Sequence, residues 1–145
     1  MRGKSFIFIL SLQFFFIVDL PDLKAVEREI LIIVNKETSI ESLGLNTLVD
    51  IYTNNKTKWD NGEKIHVSML KKGPVHDAFS KDMIGMAPKK LVSVWKKVIF
   101  TGLGTPPKVV NTEAEMIRYV ASTKGAIGYI SASVQPENVN VFKLN

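Results

Sequence analysis

The stretch from Glu29 to Asn35, EILIIVN, is a short apolar run of mostly β-branched side chains between charged flanks, which predicts a buried strand. Lys36 to Gly44 turns polar. Asn46 then stands where a cap belongs for a short helix over Thr47 to Tyr52, with Leu48 and Ile51 on its inner face. Asp60-Asn61-Gly62 is a turn signal, because Asn and Gly accept positive φ at little cost. Beyond it Ile65, Val67 and Met69 alternate with His66 and Ser68, the period of a half-buried strand. After Gly73-Pro74 the period changes: Val75, Phe79 and Met83 are spaced by four, which predicts an amphipathic helix over 75–84 that Gly85 ends. A longer helix is predicted from Pro88 to Phe100, with Leu91, Val94, Trp95 and Val98 as its apolar stripe and Lys89, Lys90, Lys96 and Lys97 largely off it. The breaker-rich run Thr101 to Pro107 reads as a loop.

Thr112 and Glu115 have capping-box spacing for a helix to about Ser122 whose inner face is Ile117, Val120 and Ala121. Lys124-Gly125 closes it, and AIGYI from Ala126 is a strand with a glycine that permits close backbone approach. Val139 to Phe142 adds an edge strand. Strands alternating with helices give an α/β fold: a small single domain with a mixed sheet covered by about four helices.

The first residues follow another pattern. Arg2 and Lys4 precede an almost wholly apolar Phe6 to Val18, the length of a signal-peptide core and short of the ~20 residues a spanning helix needs. Residues 1–25 are expected to be a signal peptide cut after Ala25, an uncleaved anchor being the alternative, and 26–145 the folded domain. A chain of 145 residues, 46% hydrophobic, has room for one such core. Without cysteine it has no disulfide framework, thiolate metal site or lipidated cysteine. The formal net charge of +5 suits an anionic ligand or surface without selecting one.

Few constellations point to chemistry. His66 and His76 have no carboxylate at a ligand spacing, so no metal is expected. Ser68 or Ser80 with His76 and Asp77 lacks a nucleophile elbow, and adjacent His and Asp on one helix diverge, so no catalytic residue and no enzyme are expected. Gly102-Leu103-Gly104 follows a helix and lacks the third glycine of a phosphate loop. The lysine pairs of the long helix read as its solvated face, export argues against nucleic acid, and Trp59 and Trp95 read as packing residues. The segment KKGPVHDAF remains. Lys71 and Lys72 stand just ahead of a helix start whose free amides attract anions, while Asp77 already complements the helix dipole. An anion pocket and a plain solvated helix start both fit.

The order of segments resembles that of short, single-lobe relatives of the phosphate-binding proteins of ABC importers, within the type 2 periplasmic-binding-protein superfamily. The residues that carry the likeness are IVNKETSIESL, IYTNNKTKWDNGEKI, GPVHDAFSKDMIGMAPKKLVSVWKKVIFTGLGTPPK and TKGAIGYIS, from about Ile32 to Phe142. The resemblance implies a periplasmic solute-binding fold, capture of phosphate or a similar oxyanion without catalysis or cofactor, and an ABC permease or other envelope protein as partner. It matches the family's anion-binding segment to Gly73-Pro74-Val75-His76, so a ligand is expected at Gly73, Val75, His76 and Asp77 of the helix start, with Lys71 and Lys72 just upstream adding attraction. Relatives keep a serine and an arginine in this segment, where the present chain has Gly73 and His76. A bidentate, permanently charged fork is thereby replaced by an imidazole that is mostly neutral at pH 7, and hydrogen bonding that depended on His76 charging would strengthen as pH falls through about 6.5. The alternative is an interaction module that retains the fold, has lost transport, and docks on an envelope complex.

Overall fold

The computed structural model describes residues 29–144, so the expected signal peptide lies outside the described residues. In chain order the elements are β1 (Ile30–Asn35), α1 (Leu45–Tyr52), β2 (His66–Leu70), α2 (Pro74–Ala78, running on as a π-helical turn over Phe79–Ile84), α3 (Pro88–Phe100), β3 (Lys108–Val110), α4 (Glu113–Ser122), β4 (Ala126–Ser131) and β5 (Val139–Phe142). The strands form one mixed sheet in the order β3-β2-β4-β1-β5. β2 runs parallel to both β3 and β4, whereas β1 is antiparallel to β4 and β5. Ile127 of β4 is paired on one side with Val34 and on the other with Val67, so β4 holds the two parts of the sheet together. Every residue of β4 is buried.

Packing against this central position explains several departures from the local pattern. β2 is not half-buried: Ser68, on what alternation makes its polar face, is fully enclosed, donating to the Ile127 carbonyl at 2.6 Å and lying 2.9 Å from Met116 Sδ. α4 covers that face, so a hydroxyl with a local acceptor replaces solvent contact. Gly128 makes the covering possible, since a Cβ there would sit 2.5 Å from Met116 Sδ and 2.9 Å from Ser68 Oγ. Met116, rather than Ile117, is accordingly the buried partner of Val120 on α4. Thr112 caps this helix by accepting from the Glu115 amide at 3.1 Å, while the Glu115 carboxylate reaches back to the Asn111 amide at 2.8 Å, one residue earlier than a capping box. The last carbonyls of α4 are met by Asn35, whose side-chain amide donates to Val120 and Ala121.

α1 begins at Leu45 with Gly44 as its cap, so Asn46 lies inside the first turn instead of capping it. α2 starts with Pro74 at its first turn as expected, but its second half widens into the π-helical turn. There Ser80 Oγ donates to the Met86 carbonyl at 2.7 Å and the Met86 amide returns a bond to the Ser80 carbonyl, with Gly85 at φ +79 between them. The side chain thus satisfies groups that a regular helix end leaves open. β3 was not expected from the sequence. It is three residues long, two of them exposed, and owes its position to parallel pairing with β2.

Candidate functional site

At the carboxyl end of β2 the chain leaves the sheet through Lys71 and Lys72, turns at Gly73 with φ +114, and enters α2. Crevices outside the carboxyl ends of parallel strands are where open α/β sheets commonly take ligands. A cleft of about 440 Å³ lies here, lined by Lys71, Lys72, His76 and Asp77 on one side and by Lys89, Ser93 and Lys96 of α3 on the other. Of the residues singled out in the sequence, Lys71, Lys72, His76 and Asp77 meet in this cleft. Gly73 caps α2 and Val75 sits half-buried in its first turn, and neither lines the cleft wall. The first turn closes when the Asp77 amide donates to the Gly73 carbonyl at 3.0 Å, which leaves the amides of Val75 and His76 ahead of any intrahelical acceptor.

The sequence puts Lys89 and Lys96 on the solvated face of α3 and does not single out Ser93 between them. Their spacing of four and three puts them on one face of α3, and that spacing was the available signal. What the sequence could not supply was the position of α3 across from Lys71 and Lys72. Among the described residues none of these four lysines forms an ion pair, so their positive field is opposed in the cleft only by Asp77. Ser93 donates its hydroxyl to the Lys89 carbonyl at 2.9 Å, so it offers a ligand only its oxygen lone pairs.

His76 is held differently from a free donor. It is 3% exposed, and its Nδ1 lies 2.6 Å from the Tyr129 hydroxyl, with the two rings stacked at 6.2 Å. Tyr129 Oη also accepts from the Leu70 amide at 3.0 Å. Burial pushes the Tyr129 phenol well above its ordinary value, the Leu70 hydrogen bond pulling weakly the other way, so the phenol keeps its proton and donates it to His76 Nδ1. The imidazole proton then belongs on Nε2. Beneath this pair Tyr129 stacks on Phe79 at 3.7 Å, and Tyr52, whose hydroxyl donates to the Ser68 carbonyl, packs edge-on against both rings. Burial lowers the His76 pKa below its ordinary value, partly offset by the Asp77 charge. His76 therefore takes up its proton at a lower pH than a free imidazole, which moves any anion binding that depends on its charge to more acidic conditions. The relay Leu70 N–H to Tyr129 to His76 is a feature the sequence did not announce, although a tyrosine inside the apolar run AIGYI has to find a polar partner somewhere.

No family model matches the chain, and no curated protein matches it by sequence. Solved structures do match in fold. A protein assigned as a phosphate ABC transporter substrate-binding protein from Clostridium perfringens, with bound phosphate, aligns with a TM-score of 0.64 at 24% identity over 80% of this chain and 44% of its own. An ABC-type phosphate transport receptor from Vibrio cholerae aligns at 0.61 and 20% identity, over 80% of this chain and 46% of its own. PstS from Borrelia burgdorferi aligns at 0.55 and 16% identity, over 88% of this chain and 55% of its own. The chain thus spans about half the length of each, and its mixed five-stranded sheet with four helices is the fold of one lobe of such a binding protein.

Proposed function

We propose that this chain is an exported, periplasmic solute-binding-type protein that holds phosphate or a similar oxyanion, weakly and without catalysis, in the cleft between Lys71–Asp77 and α3. One observation carries the reading: four lysines from two separate segments, none of them in an ion pair among the described residues, converge on a single cleft at the carboxyl end of β2. The shared lobe fold adds to it, because the Clostridium perfringens structure contains bound phosphate. The lysines supply compact point charges instead of an arginine fork, and all four are exposed to water. Binding should therefore be in the millimolar range, about −4 kcal/mol, and should fade as salt screens the exposed ammonium groups. Calorimetry and thermal shift with phosphate and sulfate test this. Saturable binding at low salt, lost in a Lys89→Glu, Lys96→Glu variant of unchanged fold, is expected. No heat and no shift at millimolar anion would remove the reading.

A second reading has its own observation. The last turn of α3 and the following loop expose Phe100 (90%) and Leu103 (72%), with Ile99 half-exposed beside Phe100. Apolar side chains so placed suit docking onto another envelope protein, with or without an ABC permease. In that case Phe100→Asp with Leu103→Asp should abolish co-purification of a defined envelope partner while leaving the phosphate titration intact. A partner retained by the double variant would count against it.

A further inference from the structure

A larger cleft lies at the opposite end of β2. It measures about 530 Å³ and is walled by the segment that follows α1, the first residues of β2 and β3, and the Thr101–Pro107 loop. Its lining differs from that of the lysine cleft. The wall is apolar where Ile65, Trp95 and Leu103 contribute, and its charged members are all lysines, Lys56, Lys58, Lys64 and Lys108, with no carboxylate. Two of these are engaged: Lys56 pairs with exposed Asp60 at 2.7 Å, and Lys64 Nζ donates to Thr105 Oγ1 at 3.0 Å. Lys58 and Lys108 form no ion pair among the described residues.

Trp95 supplies a second, independent observation. It is 5% exposed, and its indole N–H is buried without an acceptor among the described residues. Trp59 shows the ordinary outcome, donating its own indole N–H to the Gly125 carbonyl at 3.0 Å. Buried donors without partners are rare in folded chains, and an oxygen supplied by a ligand removes the deficit. The volume is that of a small-molecule pocket, and an apolar wall with a few convergent polar groups is the usual composition of one.

We infer that this cleft is a separate binding site for a small amphiphilic carboxylate, its hydrocarbon body on the Ile65 and Leu103 wall and its acidic head accepting from the Trp95 indole N–H, with Lys58 and Lys108 supplying the counter-charge. The chemistry follows from the lining: inorganic phosphate has nothing to place on the apolar wall, and an uncharged hydrocarbon leaves the lysines unanswered. The site does not depend on anion binding at the other end of β2, since the two clefts share no lining residue.

The test uses ¹⁵N-labelled protein, in which the indole N–H signals of Trp59 and Trp95 are resolved and assigned, titrated with octanoate, 1-octanol and phosphate. Octanoate should move the Trp95 signal saturably and leave that of Trp59 in place. Octanol should bind at least about tenfold more weakly, phosphate should not move the Trp95 signal, and Lys58→Ala with Lys108→Ala should weaken octanoate without changing octanol. Equal response to octanoate and octanol, equal response to phosphate, or a Trp95 signal that stays fixed at millimolar octanoate would each overturn the assignment.

Discussion

Alanine in place of Gly125 should destabilise the fold by about 3 kcal/mol, the sum of a left-handed backbone cost and an overpacking cost. Gly125 has φ +79, and a Cβ there would be driven into the carbonyl oxygen of Lys64, which is backbone and has no rotamer to yield. The residue is also a junction. Its amide donates to Thr38 Oγ1 at 2.9 Å, and its carbonyl accepts from the His66 amide at 3.1 Å and from Trp59 Nε1. A shift that relieved the clash would pull on β2, on the 59–63 turn and on the loop after β1 together. Gly62→Ala is the matched control, because Gly62 has φ +85 and nothing within 4 Å of its added Cβ. That variant should lose only about 1 kcal/mol. Urea unfolding of both decides the point: equal losses would mean that close approach at Gly125 contributes nothing.

Removing the Tyr129 hydroxyl should produce the second large effect. Tyr129→Phe keeps the aromatic stack with Phe79 but strands the Leu70 amide and His76 Nδ1, both buried, at a cost of about 2 kcal/mol. The same relay sets a pH dependence. His76 has a folded-state pKa below its ordinary value of about 6.5, so between those two values the unfolded chain holds more protons than the folded one. The stability that neutral His76 contributes is complete above about pH 6.5 and is lost as pH falls toward the folded value. Midpoints measured from pH 7.5 downward should therefore decline below about 6.5 in the wild type, and the decline should flatten in His76→Gln. A wild-type midpoint that rises on acidification would contradict the relay.

Much of the fold was legible because local and long-range demands agree. Pro88 to Phe100 forms a helix with the stripe its spacing implies, Thr112 caps α4, and AIGYI is a strand with a glycine where a helix presses close. The misreadings share one cause. Alternation in β2 was taken for a solvent face, yet α4 crosses it, and a serine that can donate to Ile127 is as compatible with the interior as with water. β3 is too short, at three residues, to carry a pattern, and its partner strand supplies what holds it.

The candidate site was legible in part for a related reason. Lys71, Lys72, His76 and Asp77 are contiguous enough to be seen along one segment. Lys89 and Lys96 belong to the cleft only because α3 folds back across it, and no local pattern encodes that return. His76 was legible as a polar residue at a helix start but not as the acceptor in a buried relay, because Tyr129 is distant in sequence.

An oxyanion held in the cleft between Lys71–Asp77 and α3 has to perturb the amides that surround it. The most direct measurement is a phosphate titration at low ionic strength, followed by amide chemical shifts in ¹⁵N-labelled protein. Saturable shifts concentrated at Val75, His76 and the Lys89 to Lys96 face of α3, reproduced by sulfate and suppressed by added salt, are expected. Shifts scattered over all exposed lysines, or confined to a different part of the chain, would contradict an oxyanion in this cleft.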